Sequence, residues 1–316
     1  MNRRFGITVP FPEVSLGAHR SWFHDVVAAG YTDVWSAEVD GADGFTPLAL
    51  AAAWEPSLHL GVAIVPAFTR GPALLAQSVA AMAEAAPGRF AFGLGTSSDV
   101  IVEQWNDTPF EKPYQRVRDT VRFLRAALRG EKVTEEYETL AVRGFRLSRP
   151  VEHPPPIYLA ALRPGMLRLA GREADGVILN WLAAGDVPTS LAEVGAEKEV
   201  VARIFVVPDP DTERARAVAR RMIAAYMSVP AYASFQQWLG RGPLLQEMWE
   251  AWAAGDRKAA LSAIPDEVVD ALVVHGDPDE CRAHIARYVA NGVTVPVLAV
   301  MAAGDVLAEA LRALAR

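Results

Sequence analysis

Short apolar runs alternate with stretches whose apolar residues recur at helical spacing, from one end of the chain to the other. Phe5 to Val9 predicts a strand that Pro10 ends. Gly17 to Ala29 places Ala18, Trp22, Val26 and Ala29 at helical spacing and stops at Gly30, a C-terminal signal. Thr32 to Ala37 predicts a second strand, Phe45 to Trp54 a short helix and Leu58 to Val65 a third strand. Pro72 to Ala86 reads as a helix with proline at its start and Pro87-Gly88 after its end. Arg89 to Gly95 is the fourth strand, and Pro113 to Arg129 a helix with Val117, Val121, Leu124 and Leu128 on one face.

The alternation breaks at residues 131–149, where Lys132 to Glu136 and Leu140 to Leu147 read as a hairpin-like insertion. It resumes with strands at Ile157 to Ala160, Ala174 to Asn180 and Val201 to Val207. Helices are expected at Pro164 to Arg172, Val187 to Glu199 and Thr212 to Met227. Residues 228–265 carry Tyr232, Phe235, Trp238, Trp249 and Trp252 and read as a helical insertion. Helices at Pro265 to Leu272 and Pro278 to Ala290, a strand at Thr294 to Val300 and a helix at Val306 to Ala315 complete the chain.

Near-continuous apolar strands separated by helices indicate a parallel sheet covered on both faces. A doubly wound sheet is the competing arrangement, but eight strands in one domain favour a (β/α)8 TIM barrel, of class α/β. The expected organisation is one barrel domain over residues 1–316, with a hairpin before strand five and a helical segment after strand seven. No Pro/Gly/Ser-rich linker divides the chain.

Composition narrows the chemistry. The net charge is −7, with 27 arginines, 4 lysines and no basic tract, so a general nucleic-acid surface is not expected. The single cysteine, Cys281, excludes a disulfide scaffold and a cysteine-based zinc cluster. Only a short apolar run follows Met1-Asn2-Arg3-Arg4, and no apolar stretch is long enough to span a bilayer. A cytoplasmic protein without a membrane partner is the expectation.

A barrel carries its chemistry at the carboxyl ends of its strands. Here those ends offer apolar and aromatic side chains, few acids and no histidine. No expected cluster resembles a divalent-metal site, and there is no Walker A loop, H-E-x-x-H or G-x-S-x-G. Gly93-Leu94-Gly95 begins like a dinucleotide fingerprint but lacks the third glycine. Such a mouth suits a flat organic cofactor or an apolar small-molecule substrate. Phe11, Phe68, Trp105 and Trp181 are the candidate pocket wall, and Asn180 a polar handle beside Trp181. Arg163 precedes a helix start at Pro164-Gly165-Met166, whose free amides suit a phosphate.

Several segments together carry a family resemblance. Gly-Val-Ala-Ile-Val-Pro (61–66), Thr-Arg-Gly-Pro (69–72) and Pro-Gly-Arg-Phe-Ala-Phe-Gly-Leu-Gly-Thr (87–96) resemble the luciferase-like monooxygenase superfamily. So do Ile-Tyr-Leu-Ala-Ala-Leu (157–162), Gly-Met-Leu-Arg-Leu-Ala-Gly (165–171) and Ala-Asp-Gly-Val-Ile-Leu-Asn (174–180). The match is closest to its branch of oxidoreductases that use the deazaflavin coenzyme F420. It spans about Phe5 to Arg203 and again His275 to Val300.

That resemblance implies a hydride transfer between the deazaflavin C5 and a small substrate. FMN with oxygen and a partner reductase is the alternative within the superfamily, and a non-catalytic binding or scaffold barrel the alternative outside it. By resemblance, a cis peptide at Ala63-Ile64 backs the ring, and Thr96, Ser97 and Ser98 touch ring and ribityl chain. Ala160, Ala161, Arg163, Gly165 and Met166 fall where the family places the cofactor and its phosphate. Glu38 matches the acid of an Asp-His pair, but Val39 stands where the histidine would be and cannot move a proton. Glu38 and Asn180 are therefore the candidate catalytic side chains, and a homodimer is expected. Taken alone, each position also reads as ordinary structure: 96–98 a turn, Arg163 a solvated side chain, Glu38 a solvated or ion-paired carboxylate.

Overall fold

A computed structural model of the chain describes residues 4–195 and 197–315. Met1 to Arg3, part of the amino-terminal reading above, and Arg316 lie outside the described residues. In chain order the elements begin with β1 (Gly6–Thr8), α1 (His19–Ala29), β2 (Asp33–Ser36), α2 (Thr46–Trp54), β3 (His59–Pro66), α3 (Pro72–Ala85) and β4 (Phe90–Gly95). A single wide helical turn, Val100–Trp105, leads to α4 (Pro113–Leu128) and the antiparallel hairpin β5 (Val133–Glu136) and β6 (Ala141–Phe145). Next come β7 (Ile157–Ala160), α5 (Pro164–Glu173), β8 (Gly176–Asn180), α6 (Val187–Val194), β9 (Glu199–Val207) and α7 (Thr212–Met227). The second insertion is three helices, α8 (Pro230–Trp238), α9 (Gly242–Ala253) and α10 (Arg257–Ser262). The chain closes with α11 (Asp266–Leu272), β10 (Val274–His275), α12 (Pro278–Ala290), β11 (Val295–Val300) and α13 (Gly304–Leu314).

Eight strands pair in parallel in the cyclic order β1-β2-β3-β4-β7-β8-β9-β11, and β11 returns to β1. This is a closed TIM barrel. The two-residue β10, unforeseen in the sequence, pairs in parallel with Val206 and Val207 at the end of β9.

Helix ends fall within two residues of the expected bounds except at one place. The helix expected over Val187 to Glu199 ends at Val194, because Gly195 adopts the left-handed conformation (φ 67°) that stops helices. Ala196, inside that expected helix, lies outside the described residues. Strand β9 then starts at Glu199, two residues earlier than the apolar pattern implied. A charged residue begins this strand because Arg4 enters the amino-terminal end of the barrel and ion-pairs with both Glu199 and the buried Asp33. A buried charge needs such a partner.

Large rings fill the interior where glycines leave room. Trp35 and Tyr158 stack at 6.2 Å inside the barrel. A Cβ at Gly61 would lie 2.3 Å from the Trp35 ring, and one at Gly176 would lie 2.7 Å from Tyr158. Both glycines are thus fixed by space rather than by backbone shape.

Candidate active site

The interior cluster of Trp35, Ala91, Tyr158, Ile178, Val201, Val295 and Val297 is buried, and its partly exposed members are Ala63, Ile64 and Ala160. These three belong to β3 and β7, next to β4. Between them Gly95 packs closely: a Cβ there would meet Ile64 at 3.0 Å and Ala160 at 3.2 Å. One side of the mouth is therefore a floor of small apolar groups. The peptide bond Ala63–Ile64 is cis, at the bond singled out by the resemblance. The space left among Thr8, Trp35, Ala63, Ile178 and Arg203 is about 10 Å³, room for about one water. Any larger ligand must rest above this layer.

The loop after β4 rises beside the floor. Thr96, Ser97 and Ser98 are half-buried, with Ser97 in the left-handed region (φ 63°). Ser98 Oγ accepts from the Ile101 amide at 3.3 Å and so starts the helical turn. Beyond β7, Ala161 is buried, while Arg163 and Gly165 are exposed. No side chain caps α5, so the amides of Gly165 and Met166 have no intrahelical partner. Arg163 stands at its N-cap position with no ion pair among the described residues. A positive side chain at the positive end of a helix favours an anion there.

Glu38 is fully engaged. Its carboxylate ion-pairs with Arg70 and accepts from the Gly44 amide at 2.9 Å and the Thr69 hydroxyl at 3.4 Å. Arg70 in turn lies 5.1 Å over the Phe45 ring. Glu38 thus ties the loop after β2 to the loop after β3. Val39 beside it is exposed.

The strands that follow β7 around the mouth carry polar and aromatic groups. Asn180, at the end of β8, donates from Nδ2 to the Tyr232 hydroxyl at 3.1 Å. Trp181 is buried, adopts the left-handed conformation (φ 55°) and stacks on Phe205 at 4.1 Å. Such backbone costs about 1–3 kcal/mol in a bulky residue and persists only where its surroundings hold it. Here Gln236 of α8 donates to the Trp181 carbonyl at 2.7 Å, and Arg241 ion-pairs with Asp186 at 2.7 Å. Tyr226 packs on both Trp181 and Tyr232. Burial pushes the Tyr232 phenol up to about 12, so it stays protonated. The second insertion therefore seats α8 against the strand ends.

Arg203, on β9 beside Asn180 in register, lies inside its strand, so strand-end chemistry in the sequence does not point to it. The visible signal was a lone charge within the expected strand Val201 to Val207. Tyr232 escaped because the insertion had no expected place. The remaining aromatic candidates disperse. Phe11 is buried against His19 and Trp22 of α1. Phe68 is buried against Phe110 and beneath Arg116, and Trp105 is exposed on the turn after β4. Among the described residues no three His, Cys, Asp or Glu side chains converge on a metal-sized site.

Comparisons with known proteins bear on the family and the fold. The family model described as luciferase-like monooxygenase matches residues 5–295. A 5,10-methylenetetrahydromethanopterin reductase of Methanolobus tindarius is 26% identical over 278 residues, covering 84% of each chain. The structure of a coenzyme F420-dependent tetrahydromethanopterin reductase from Methanopyrus kandleri superposes with a TM-score of 0.81 at 20% identity, over 100% of this chain and 98% of that one. The FMN-bound oxygenating constituent of 3,6-diketocamphane monooxygenase from Pseudomonas putida gives 0.66 at 15% identity, over 100% and 98%. The matched span takes in seven of the eight barrel strands complete and the first residue of the eighth, and the chain belongs to the luciferase-like monooxygenase family.

Proposed function

We propose that the protein is an oxidoreductase that uses coenzyme F420 to exchange a hydride with a small organic substrate. The observation that carries this reading is the floor of Ala63, Ile64, Gly95 and Ala160, open above and flanked by the uncapped start of α5. Small side chains let a flat ring lie close to backbone, and free amides with an arginine suit a phosphate. These residues fit a phosphorylated flavin-type cofactor. When bound, a deazaflavin supplies the hydride chemistry at its C5 carbon.

The chain supplies position. Ala63, Ile64, Ala160 and Ala161 back the ring, and Thr96, Ser97 and Ser98 meet its edge and side chain. The Gly165 and Met166 amides, with Arg163, hold the phosphate. Glu38 acts as a positioning residue, since its carboxylate is occupied by Arg70, Gly44 and Thr69. Asn180 and Tyr232 hold polar groups of the substrate, while Trp105, Phe68 and Trp181 shape the surroundings of the mouth. Phe11 supports the β1 end from behind. A homodimer belongs to the same proposal and is checked by sedimentation.

Titration of the purified protein with F420 and with FMN, followed by absorbance and melting temperature, tests the reading. F420 is expected to bind more tightly and to raise the melting temperature by mass action. Tight binding of FMN alone would replace F420 by FMN, and with it require oxygen and a reductase partner. Binding of neither cofactor would leave a barrel without flavin chemistry.

A further inference from the structure

Eleven arginines among the described residues are half-buried, namely Arg4, Arg70, Arg89, Arg116, Arg118, Arg125, Arg203, Arg216, Arg220, Arg241 and Arg282. Ten of them donate to a carboxylate or a carbonyl of the protein. Arg203 donates to none, and its Nε is buried with no partner. Its guanidinium lies 4.9 Å over the Phe205 ring. A ring face attracts the cation but accepts no hydrogen bond in the plane of the fork.

The groups around it point the same way. Asn180 is its register neighbour on β8, and the Asn180 Oδ1 is also buried without a partner. With Nδ2 donated to Tyr232, the Tyr232 hydroxyl proton is uncommitted. A half-turn of the amide would exchange the roles and leave Nδ2 free instead. In both arrangements one neutral donor remains beside the cation. Among the described residues no carboxylate pairs with Arg203, and the Glu38 carboxylate is bound to Arg70.

Arg203 and Ala63 border the same water-sized space, from different strands, so a larger ligand meets Arg203 from above that space. In the cyclic strand order, β9 stands four strands from β3 in either direction, directly across the barrel. A ring lying over Ala63 and Ile64 on β3 would have Arg203 on the strand across the barrel from it. We infer that Arg203, with the Tyr232–Asn180 pair, forms a subsite for a carboxylate on the substrate. A carboxylate offers two in-plane acceptors to the guanidinium fork and balances its charge. The subsite's place opposite a ring rests on the proposed function; its preference for a carboxylate does not. The substrate class is then a small organic acid.

The test titrates the purified protein, with and without F420, by calorimetry. The probes are sodium benzoate, benzyl alcohol and phenyl phosphate. Benzoate is expected to bind about ten-fold or more tightly than either of the others. Arg203→Met should weaken benzoate about ten-fold or more and leave benzyl alcohol unchanged, while Arg203→Lys should recover part of the loss. F420 affinity should stay within about two-fold in Arg203→Met, because the residues proposed to hold the cofactor lie on β3, β4, β7 and the start of α5. Equal binding of the three probes, no benzoate binding, or undiminished benzoate binding in Arg203→Met overturns the subsite. Should Arg203→Met fail to fold, the preference of the unmodified protein and the Lys variant still decide. A benzoate preference without F420 binding overturns the cofactor reading and leaves the subsite standing. Preferred binding of phenyl phosphate replaces the carboxylate by a phosphate ester and overturns the proposal as stated.

Discussion

Asn180 donates to the Tyr232 hydroxyl at 3.1 Å across 52 residues of chain, fastening the helical insertion to a barrel strand end. Removing that hydroxyl in Tyr232→Phe leaves the Asn180 amide without its partner. A stability loss of about 1–2 kcal/mol is expected, read by urea unfolding. The phenol also has a pH signature. Its folded pKa, raised by burial from 10.0 to about 12, means the unfolded chain ionises first. Stability from this group is complete below about pH 10 and declines as pH rises toward 12. The variant should lose that part of the alkaline decline.

Glu38→Gln removes the negative partner of Arg70 while keeping a hydrogen-bonding side chain. Because both groups are mostly shielded, a loss of about 1–2 kcal/mol is expected, below the cost of a fully buried pair. The pH profile of turnover should not move, since no proton passes through an engaged carboxylate. A flattened profile at unchanged stability would give Glu38 a proton-transfer role instead.

Gly61→Ala is expected to destabilise the barrel by about 1–3 kcal/mol, because its Cβ would sit 2.3 Å from the Trp35 ring. The ring cannot retreat easily, being stacked on Tyr158. Chemical denaturation and loss of near-ultraviolet Trp signal measure it. An unchanged unfolding midpoint would contradict the tight packing.

His284 on α12 is pulled down from 6.5 to about 4, first by burial and then by the charge of Arg287 and by His275. The folded state holds it neutral, while the unfolded chain takes up a proton below about pH 6.5. Its contribution to stability is therefore present above that pH and lost as pH falls toward 4. His284→Phe keeps a ring against Tyr288 and should show a shallower fall in urea midpoint between those values. Equal slopes would mean that His284 is solvated.

Arg163→Ala should weaken F420 binding about ten-fold and reduce its salt dependence, without changing the unfolding midpoint. The exposed side chain has no ion pair to lose among the described residues, so fold and binding separate cleanly.

The sequence by itself determined the eight strands, their helices and both insertions. Apolar periodicity is local, and a strand buried on both faces announces itself as a continuous run. Where local signals were overridden, as at Gly195 and Glu199, the cause was a left-handed stop and an ion pair with Arg4 at the distant start of the chain. The residues of the small-side-chain floor were legible through resemblance, because close backbone approach constrains residue type at each position. The state of the polar groups was not. Whether Glu38 is free depends on Arg70, 32 positions away, and whether Asn180 has a partner depends on an insertion 52 positions away. Arg203 reads like any of the other arginines until closure of the barrel sets it over the Phe205 ring and, among the described residues, brings it no carboxylate. Charge compensation is a property of the assembled interior, and only the tertiary structure decided which half-buried arginine, among the described residues, was left without a hydrogen-bond partner.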